Sequence, residues 1–133
     1  MDVALKDCRG SALDIPASTL DIPASTSTTT TLVATRCEFA NSNSGAFVVG
    51  SLTSATFNNC VFNDNMYAGV YGYQSTIHLH GDATAIHSNG RYGIAAYHSG
   101  KVLIHLPSHH NTFYNNGQDR RTLASGTITN VED

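Results

Sequence analysis

The histidine side chains of this sequence could hold a metal ion or move a proton. His78 and His80 are two residues apart, so on a strand they would project from one face, and His105 aligns with His78 one repeat later. Neutral imidazoles grouped in this way can bind Zn²⁺ or Cu²⁺. The simpler interpretation is a row of polar rings on a solvent-facing sheet. We favour that interpretation, so the sequence predicts no cofactor.

Carboxylates give little support to catalysis. The ten acidic residues are scattered, and no two of them fall on one face of adjacent repeats. Glycoside hydrolysis needs two carboxyl groups about 5–10 Å apart. Proton abstraction beside a uronate would need a base and a cation, for which His78, His105, Asp82 and Lys101 are the candidates. A polysaccharide lyase, epimerase or hydrolase, or an inactive remnant of one, is therefore the alternative hypothesis.

A row of aromatic residues offers a binding surface. Phe47, Tyr71, Tyr73 and Tyr97 share the outward parity of their predicted strands and would form a flat, partly apolar strip. Tyrosine rings can stack on sugar rings while a neighbouring amide such as Gln74 bonds to hydroxyl groups. A protein partner would use the same strip. The alternative is cross-strand stacking that only stiffens the sheet.

Composition argues against two classes of partner. The 133 residues carry a formal net charge of −3 with seven Lys and Arg, so we expect no nucleic-acid surface. No apolar run approaches the ~18 residues of a membrane span, so we expect no membrane partner. The start, MDVALKDCRG, lacks the pattern of a signal peptide, and three cysteines do not suggest a disulfide framework. These features favour a cytoplasmic protein.

A repeat of about 24 residues organises the chain. Segments that begin at Cys37, Cys60 and Thr84 align with one another, and a fourth at Asn111 fits less well. Each contains an apolar residue, then an Asn, then a Gly that opens an alternating strand. The repeated positions are Phe39, Phe62, Ile86 and Phe113; Asn65, Asn89 and Asn116; and Gly45, Gly69 and Gly93. Short strands repeated at this period, without helical periodicity, are typical of a β-solenoid.

Strand parity separates interior from exterior positions. Small or aliphatic residues take the inward parity after each repeated Gly: Ala46, Val48, Val70, Ile94 and Ala96. Cys8, Cys37 and Cys60 form one column, followed by Thr84, which we interpret as buried small residues. Arg121 falls in line with Ile94, so the repeat breaks there, as a terminal rung requires.

The N-terminal part contains a duplication. LDIPAST occurs at residues 13–19 and again at 20–26, and removal of one copy would shorten the spacing from Cys8 to Cys37 to about one period. We therefore predict a single domain over residues 1–133 with an inserted loop at 13–31, which includes the Ser/Thr run. The start shows no obvious cap, so we also consider two alternatives, a place within a longer solenoid and end-to-end self-association.

The repeated text C-x-F-x-x-N, followed by Gly and an aliphatic residue, resembles the rung of right-handed parallel β-helix proteins of the pectate-lyase-like superfamily. The resemblance covers roughly residues 32–131 and, more faintly, 1–15. It implies an asparagine ladder at one turn, carried here by Asn65, Asn89 and Asn116. The superfamily includes polysaccharide lyases, epimerases, phage tailspikes and non-enzymatic adaptors, so the fold does not choose a function.

Together these patterns predict an all-β chain folded as a right-handed parallel β-helix, or β-solenoid, of about four rungs with about 24 residues each. For function they predict a non-catalytic binding or structural module. Its ligand would be a glycan or a protein, held at the strip of Phe47, Tyr71, Tyr73 and Tyr97 beside Gln74.

Overall fold

The structure is a computed structural model that describes residues 2–6, 20–22, 30–105 and 112–132. Regular structure in these residues consists of short strands. In chain order they are β1 (Asp2–Lys6), β2 (Leu20–Ile22), β3 (Thr30–Thr35), β4 (Glu38–Ala40), β5 (Ser44–Val49), β6 (Thr53–Asn58), β7 (Val61–Asn63), β8 (Ala68–Tyr73), β9 (Thr76–His80), β10 (Ala85–His87), β11 (Tyr92–Tyr97), β12 (Lys101–His105), β13 (Phe113–Tyr114), β14 (Gln118–Leu123) and β15 (Thr127–Val131). No helix long and apolar enough to cross a membrane occurs in the described ranges.

The strands form three parallel sheets along a short rod. The six-stranded sheet has the order β1-β3-β6-β9-β12-β15, the four-stranded sheet β4-β7-β10-β13, and the five-stranded sheet β2-β5-β8-β11-β14. The chain thus visits each sheet in turn and pairs with itself about 24 residues later, as Val70 does with Ile94. This arrangement confirms the predicted β-solenoid of about four turns, each of which we call a rung.

The interior is apolar, and the predicted inward parity is confirmed. The five residues assigned to the interior of the five-stranded sheet are fully buried: Ala46, Val48, Val70, Ile94 and Ala96. Three phenylalanines pack beside them. Phe39 stacks on Phe62 with ring centroids 5.3 Å apart, and Phe57 meets Phe62 edge-on at 5.0 Å. Because such inward side chains line every middle rung, one core runs along the rod.

The predicted column of small residues is also buried. Cys37, Cys60 and Thr84 lie in the interior just before β4, β7 and β10. The Thr84 hydroxyl donates a hydrogen bond to the carbonyl of His80 at 2.7 Å, so its polar atom is satisfied. Cys8 lies outside the described residues.

The turn into the five-stranded sheet uses left-handed backbone. Asn41, Asp64, Ser88 and Asn115 occupy this turn in successive rungs, with φ between 56° and 60°. Asn and Asp tolerate this conformation better than most residues. The requirement recurs in every rung, which explains why Asn and Asp gather at these positions of the repeat.

Asparagine side chains form a hydrogen-bonded column immediately after that residue. The amide nitrogen of Asn65 donates to Oδ1 of Asn89, and the amide nitrogen of Asn89 donates to Oδ1 of Asn116, both at 2.9 Å. Asn65 and Asn89 also donate to main-chain carbonyls of the rung before, at 3.3 and 3.1 Å. Both residues are buried. In the first turn of the series, the main-chain N–H of Ser42 donates to Asn65 Oδ1. The column therefore joins successive rungs while it satisfies buried polar groups.

The repeated glycines are explained by this column. A Cβ atom on Gly69 would lie 2.8 Å from the amide nitrogen of Asn89 and 3.0 Å from the carbonyl oxygen of Gly93. On Gly45, it would lie 2.7 Å from the carbonyl oxygen of Gly69. No side chain fits at these distances, so each rung needs glycine where the next rung approaches it.

The last rung departs from the others, and its predicted register is wrong by one residue. Arg120, not Arg121, pairs with Ile94. The reason is the length of the turn before β14. Arg120 comes seven residues after Phe113, whereas Ile94 comes eight residues after Ile86, the equivalent residue of the preceding rung. The Arg120 guanidinium lies 5.3 Å from the centroid of the Phe113 ring and donates to Oδ1 of Asn130 at 2.8 Å. Polar side chains thus cover the core at this end of the described rod.

The duplicated segment enters the sheet. β2, which is the LDI of the second copy, pairs with β5 through Leu20 and Ala46, Asp21 and Phe47, and Ile22 and Val48. This part of the predicted 13–31 loop is therefore a strand, because its apolar–polar–apolar alternation matches the neighbouring rung. Thr30–Thr31 open β3, and the remainder of the predicted loop lies outside the described residues.

Candidate functional site

The outer surface of the five-stranded sheet carries the predicted aromatic residues. Phe47 on β5 pairs with Tyr71 on β8, and Tyr73 on β8 pairs with Tyr97 on β11. All four alternate with buried interior residues and are themselves half-buried. Adjacent rungs therefore bring the predicted set together on one outer face, since strands in a sheet lie about 4.8 Å apart.

These rings tilt against one another instead of forming the flat strip that we expected. Phe47 and Tyr71 have ring centroids 4.6 Å apart and an interplanar angle of 37°. Tyr71 and Tyr97 meet edge to face at 5.1 Å and 71°. Tyr73 packs on His98 at 4.6 Å. Tilted and edge-to-face contacts are the favoured geometry of aromatic pairs, so the rings support each other.

Two further tyrosines belong to this surface and were missed in the sequence. The Tyr67 ring lies 5.5 Å from that of Tyr71 and 5.3 Å from that of Tyr92. Its hydroxyl oxygen is 2.6 Å from the hydroxyl oxygen of Tyr97. Strand parity did not identify Tyr67 and Tyr92 because they stand at the entrance to their strands. We call the six residues the aromatic face: Phe47, Tyr67, Tyr71, Tyr73, Tyr92 and Tyr97.

Ala95 shows how closely the rings cover the sheet. It pairs with Tyr71 and occupies an outward position between inward Ile94 and Ala96. It is nevertheless fully buried. Its paired neighbours on the two adjacent strands, Tyr71 and Arg121, have much larger side chains that are placed to cover it. The aromatic face is thus a small packed layer outside the main core.

Burial shifts the ionisation of two tyrosines. Burial raises the pKa of Tyr67 well above its usual range, and the hydrogen bond to the Tyr97 hydroxyl adds to the effect. Burial raises the pKa of Tyr71 as well, with a contribution from the neighbouring tyrosines. Both groups stay neutral through the physiological range, so they present hydroxyl dipoles rather than charges.

The margins of the aromatic face carry exposed apolar and charged side chains, among them Asp119 on β14. Met66, which precedes Tyr67, is 75% exposed, and Leu123, which pairs with Tyr97, is 47% exposed. Arg91 and Arg121 are exposed beside Tyr92 and Ala95. An apolar surface with cations at its edge has the chemistry of a recognition site.

Gln74 lies in the turn that leaves β8. It is exposed, has a φ of 63°, and donates its main-chain N–H to the carbonyl of Tyr97 at 3.2 Å. The left-handed backbone at this turn sets the position of Gln74 next to Tyr73. Its amide side chain is therefore at the edge of the aromatic face.

The histidines lie on the outer surface of the six-stranded sheet, but their predicted alignment is wrong. The register pairs His78 with Leu103 and Leu79 with Ile104, so His105 comes beside His80. The repeat is 25 residues here, from Ile77 to Val102, rather than the 27 that the alignment assumed. The rings of His80 and His105 stack with centroids 4.0 Å apart.

The three imidazoles nevertheless come together. Nδ1 of His78 lies 2.9 Å from Nε2 of His105, within hydrogen-bond distance. One potential ligand atom from each of His78, His80 and His105 lies within 4.8 Å of the others. Burial lowers the pKa of His78, and the neighbouring His105 and His80 lower it further, so this ring is neutral near pH 7. All three residues are half-buried.

The other residues considered for catalysis lie apart from one another. Lys101 is exposed at the start of β12, and His105 is at its end. Four residues of strand separate them by about 13 Å at ~3.3 Å per residue. Asp82 is exposed in the turn after β9, two residues beyond His80. Lys101 is therefore at the wrong end of the strand to work on one reacting atom with His105.

Comparison with known proteins finds no matching family model, no matching curated protein and no matching solved structure. The likeness to pectate-lyase-like proteins thus remains a resemblance in the repeated text. Function has to be inferred from the chemistry of the two outer surfaces.

Proposed function

We propose that this chain is a non-catalytic binding module whose aromatic face contacts a protein partner. The observation that carries this proposal is the cluster of five rings in contact over three rungs, with Tyr73 paired to Tyr97 beside it. Tyr, Phe, Met and Arg are the residue types enriched at protein interfaces. The aromatic face and its margins consist of these types, including Met66, Arg91 and Arg121.

A protein suits this surface better than a glycan. Sugar stacking requires an open ring face, whereas Tyr71 is covered by the tilted ring of Phe47 and by the edge contact with Tyr97. The hydroxyl groups of Tyr67 and Tyr97 are directed at each other. The exposed side chains of Met66 and Leu123 extend the apolar area at the margins. A glycan ligand is the second outcome that the experiments below distinguish.

Charge defines the partner further. Arg91 and Arg121 are exposed at the edge of the rings. We therefore infer a partner with an apolar patch and with carboxylates at its rim. Complementary rim charges mainly speed association and select the partner, while the buried rings supply affinity.

We also propose that the coil is right-handed, as in the parallel β-helix proteins that the repeat resembles. Parallel strands joined by a crossover are right-handed in about 98% of cases. The asparagine column of Asn65, Asn89 and Asn116 supports the same resemblance, since its amides link successive rungs. On this proposal the column is the asparagine ladder of that fold.

Enzymatic activity on polysaccharides is supported less well. Lys101 and His105 are separated by the length of β12. Asp82 is exposed in a turn. A base and a cation must reach one substrate atom to act together, and the length of β12 keeps Lys101 from doing so with His105.

Site-specific photocrosslinking tests the proposal. A photoreactive phenylalanine analogue would replace Tyr73 on the aromatic face and, as the matched control, Tyr114, which is exposed on the four-stranded sheet. In an extract of the source cells, we expect a discrete crosslinked protein from position 73 and not from position 114. Equal products from both positions would contradict the proposal.

A glycan array run with the same protein distinguishes the ligand class. If the parent chain binds a glycan and Tyr71→Ala/Tyr73→Ala does not, the ligand of the aromatic face is a carbohydrate rather than a protein. A crosslink to a second copy of the chain, together with a dimer in sedimentation, would make the partner the protein itself.

A further inference from the structure

We propose that His78, His80 and His105 form a binding site for one Zn²⁺ ion on the outer surface of the six-stranded sheet. The inference is independent of the aromatic face, which belongs to a different sheet. His78 and His80 project from one face of β9, and His105 projects beside His80 from β12. Three imidazoles are thus offered by two neighbouring strands, whose spacing the main-chain hydrogen bonds fix.

The nitrogen separations are close to those of chelation, but the stacked rings of His80 and His105 have to turn out of their parallel arrangement to direct their lone pairs at one ion. Zn–N bonds of 2.0–2.1 Å in a tetrahedral site place two ligand nitrogens about 3.3 Å apart. His78 Nδ1 and His105 Nε2 are 2.9 Å apart, so this edge needs to open by only a few tenths of an ångström. The widest separation within the set of three is at most 4.8 Å. Rotation of the half-buried rings about their side-chain torsions, which unstacks His80 from His105, would bring the three nitrogens to one point.

The hydrogen bond between His78 and His105 does not prevent binding. One of the two facing nitrogens carries a proton in this pair. A neutral imidazole can move that proton to its other ring nitrogen, which frees the facing lone pair for the metal. Both rings then become ligands without a change in charge.

The donor set selects the metal. Three nitrogen ligands suit Zn²⁺ and Cu²⁺, whereas Mg²⁺ and Ca²⁺ prefer oxygen. Three histidines also leave the fourth position of a tetrahedral zinc ion open to water or to a group from another molecule. Such a site would be able to take up an external ligand at the metal.

Neighbouring residues are suited to orient the rings. Leu103 pairs with His78 and gives one side of the site an apolar wall. Asn58 pairs with His80 on the preceding rung, so the two residues are one strand spacing apart. An amide at this position that bonded to the second nitrogen of His80 would hold the orientation of the ring, as such groups do in metal sites.

Calorimetric titration of the tag-free chain with ZnCl₂, after removal of metals by a chelator, tests the site. We expect one Zn²⁺ per chain, and a rise in melting temperature because the ion bridges β9 and β12. His80→Gln and His105→Gln should each weaken the affinity by at least about 100-fold, since loss of a second-shell partner alone costs about 10–100-fold. His87→Gln is the matched control, because this histidine lies on the four-stranded sheet, and it should bind as the parent does.

Two results would overturn the proposal. One is affinity in His80→Gln and His105→Gln equal to that of the parent, and the other is the absence of a saturable single site. Co²⁺ gives a test that needs no variant. An intense visible absorption band, typical of four-coordinate Co²⁺, would support the site, whereas the weak spectrum of six-coordinate Co²⁺ would contradict it.

Discussion

The two sides of strand β11 are buried for different reasons. Ile94 points inward and is fully buried in the core that runs along the rod. Ala95, the next residue, points outward and is equally buried, but between its paired neighbours Tyr71 and Arg121 on the outer surface. The interior layer is held between three sheets, whereas the outer layer is made by rings that only one sheet supports. Rings packed on one side only are free to contact another molecule on the other.

This difference separates folding from function. Interior positions, the repeated glycines and the asparagine column are fixed by contacts with adjacent rungs. The outer rings contribute buried area and ring–ring contacts. When one of them is removed by substitution, water can replace part of the contacts that are lost. Variants on the two sides of the same strands should therefore differ in kind: interior changes unfold the chain, and outer changes remove binding.

Ile94→Asp should have the largest effect. A carboxylate without a partner in the core costs several kcal/mol, which is a large part of the stability of a small domain. We expect loss of the cooperative thermal transition in circular dichroism. Tyr73→Asp, on the outward side of β8, is the control and should stay folded. Parent-like melting of Ile94→Asp would show that its inward assignment is incorrect.

Asn89→Ala should destabilise the chain less. Its amide donates to the Asn116 side chain and to the carbonyl of Phe62, and its Oδ1 accepts from Asn65. Removal leaves buried polar groups unpaired, at about 1–3 kcal/mol for such a group. Urea unfolding of the variant measures this loss. An unchanged free energy of unfolding would remove the structural role that we assign to the column.

Tyr71→Ala/Tyr73→Ala should lower stability modestly while it weakens partner binding by about 30-fold or more. Each aromatic pair contributes about 0.5–1.5 kcal/mol beyond its buried area, and both rings remain half-exposed to solvent on their outer sides. We expect a folded variant with a melting temperature below that of the parent. Complete unfolding would mean that the outer rings belong to the folding core. The distinction between the interior and outer sides of the strands would then be wrong.

Ionisation of Tyr67 should give the smallest effect. Its pKa is raised in the folded chain above the ordinary value of 10.0. The unfolded chain therefore loses this proton first as pH rises, so the stabilising contribution is complete below pH 10 and declines above it. Absorbance at 295 nm should show a late-ionising component that Tyr67→Phe lacks. Titration curves that superimpose for parent and variant would contradict the buried, hydrogen-bonded environment.

Periodicity was sufficient to predict the middle rungs. Gly69, Asn89 and Ile94 recur because each must fit the rung above and below it, and such contacts leave a regular trace in the sequence. Strand parity then assigned the inward and outward residues correctly, since neighbouring side chains point to opposite faces.

The pairing register between strands of successive rungs could not be predicted from the sequence. The spacing between paired residues varies from 22 at Ala55 and Ile77 to 29 at Asp2 and Thr31, because the turns differ in length. A single-residue change reverses the side on which a residue lies. His105 and Arg121 were misaligned for this reason, and Tyr67 was missed because a residue in a turn has no parity.

The central claim is that the aromatic face binds a protein partner, and a titration tests it most directly. The protein crosslinked from position 73 would be purified and titrated against the parent chain, Tyr71→Ala/Tyr73→Ala, and the control Tyr114→Ala. Loss of an interface hot spot costs at least about 2 kcal/mol, so we expect affinity to fall by about 30-fold or more in the double variant. The control should bind as the parent does. Equal affinity of the double variant and the parent would contradict the claim.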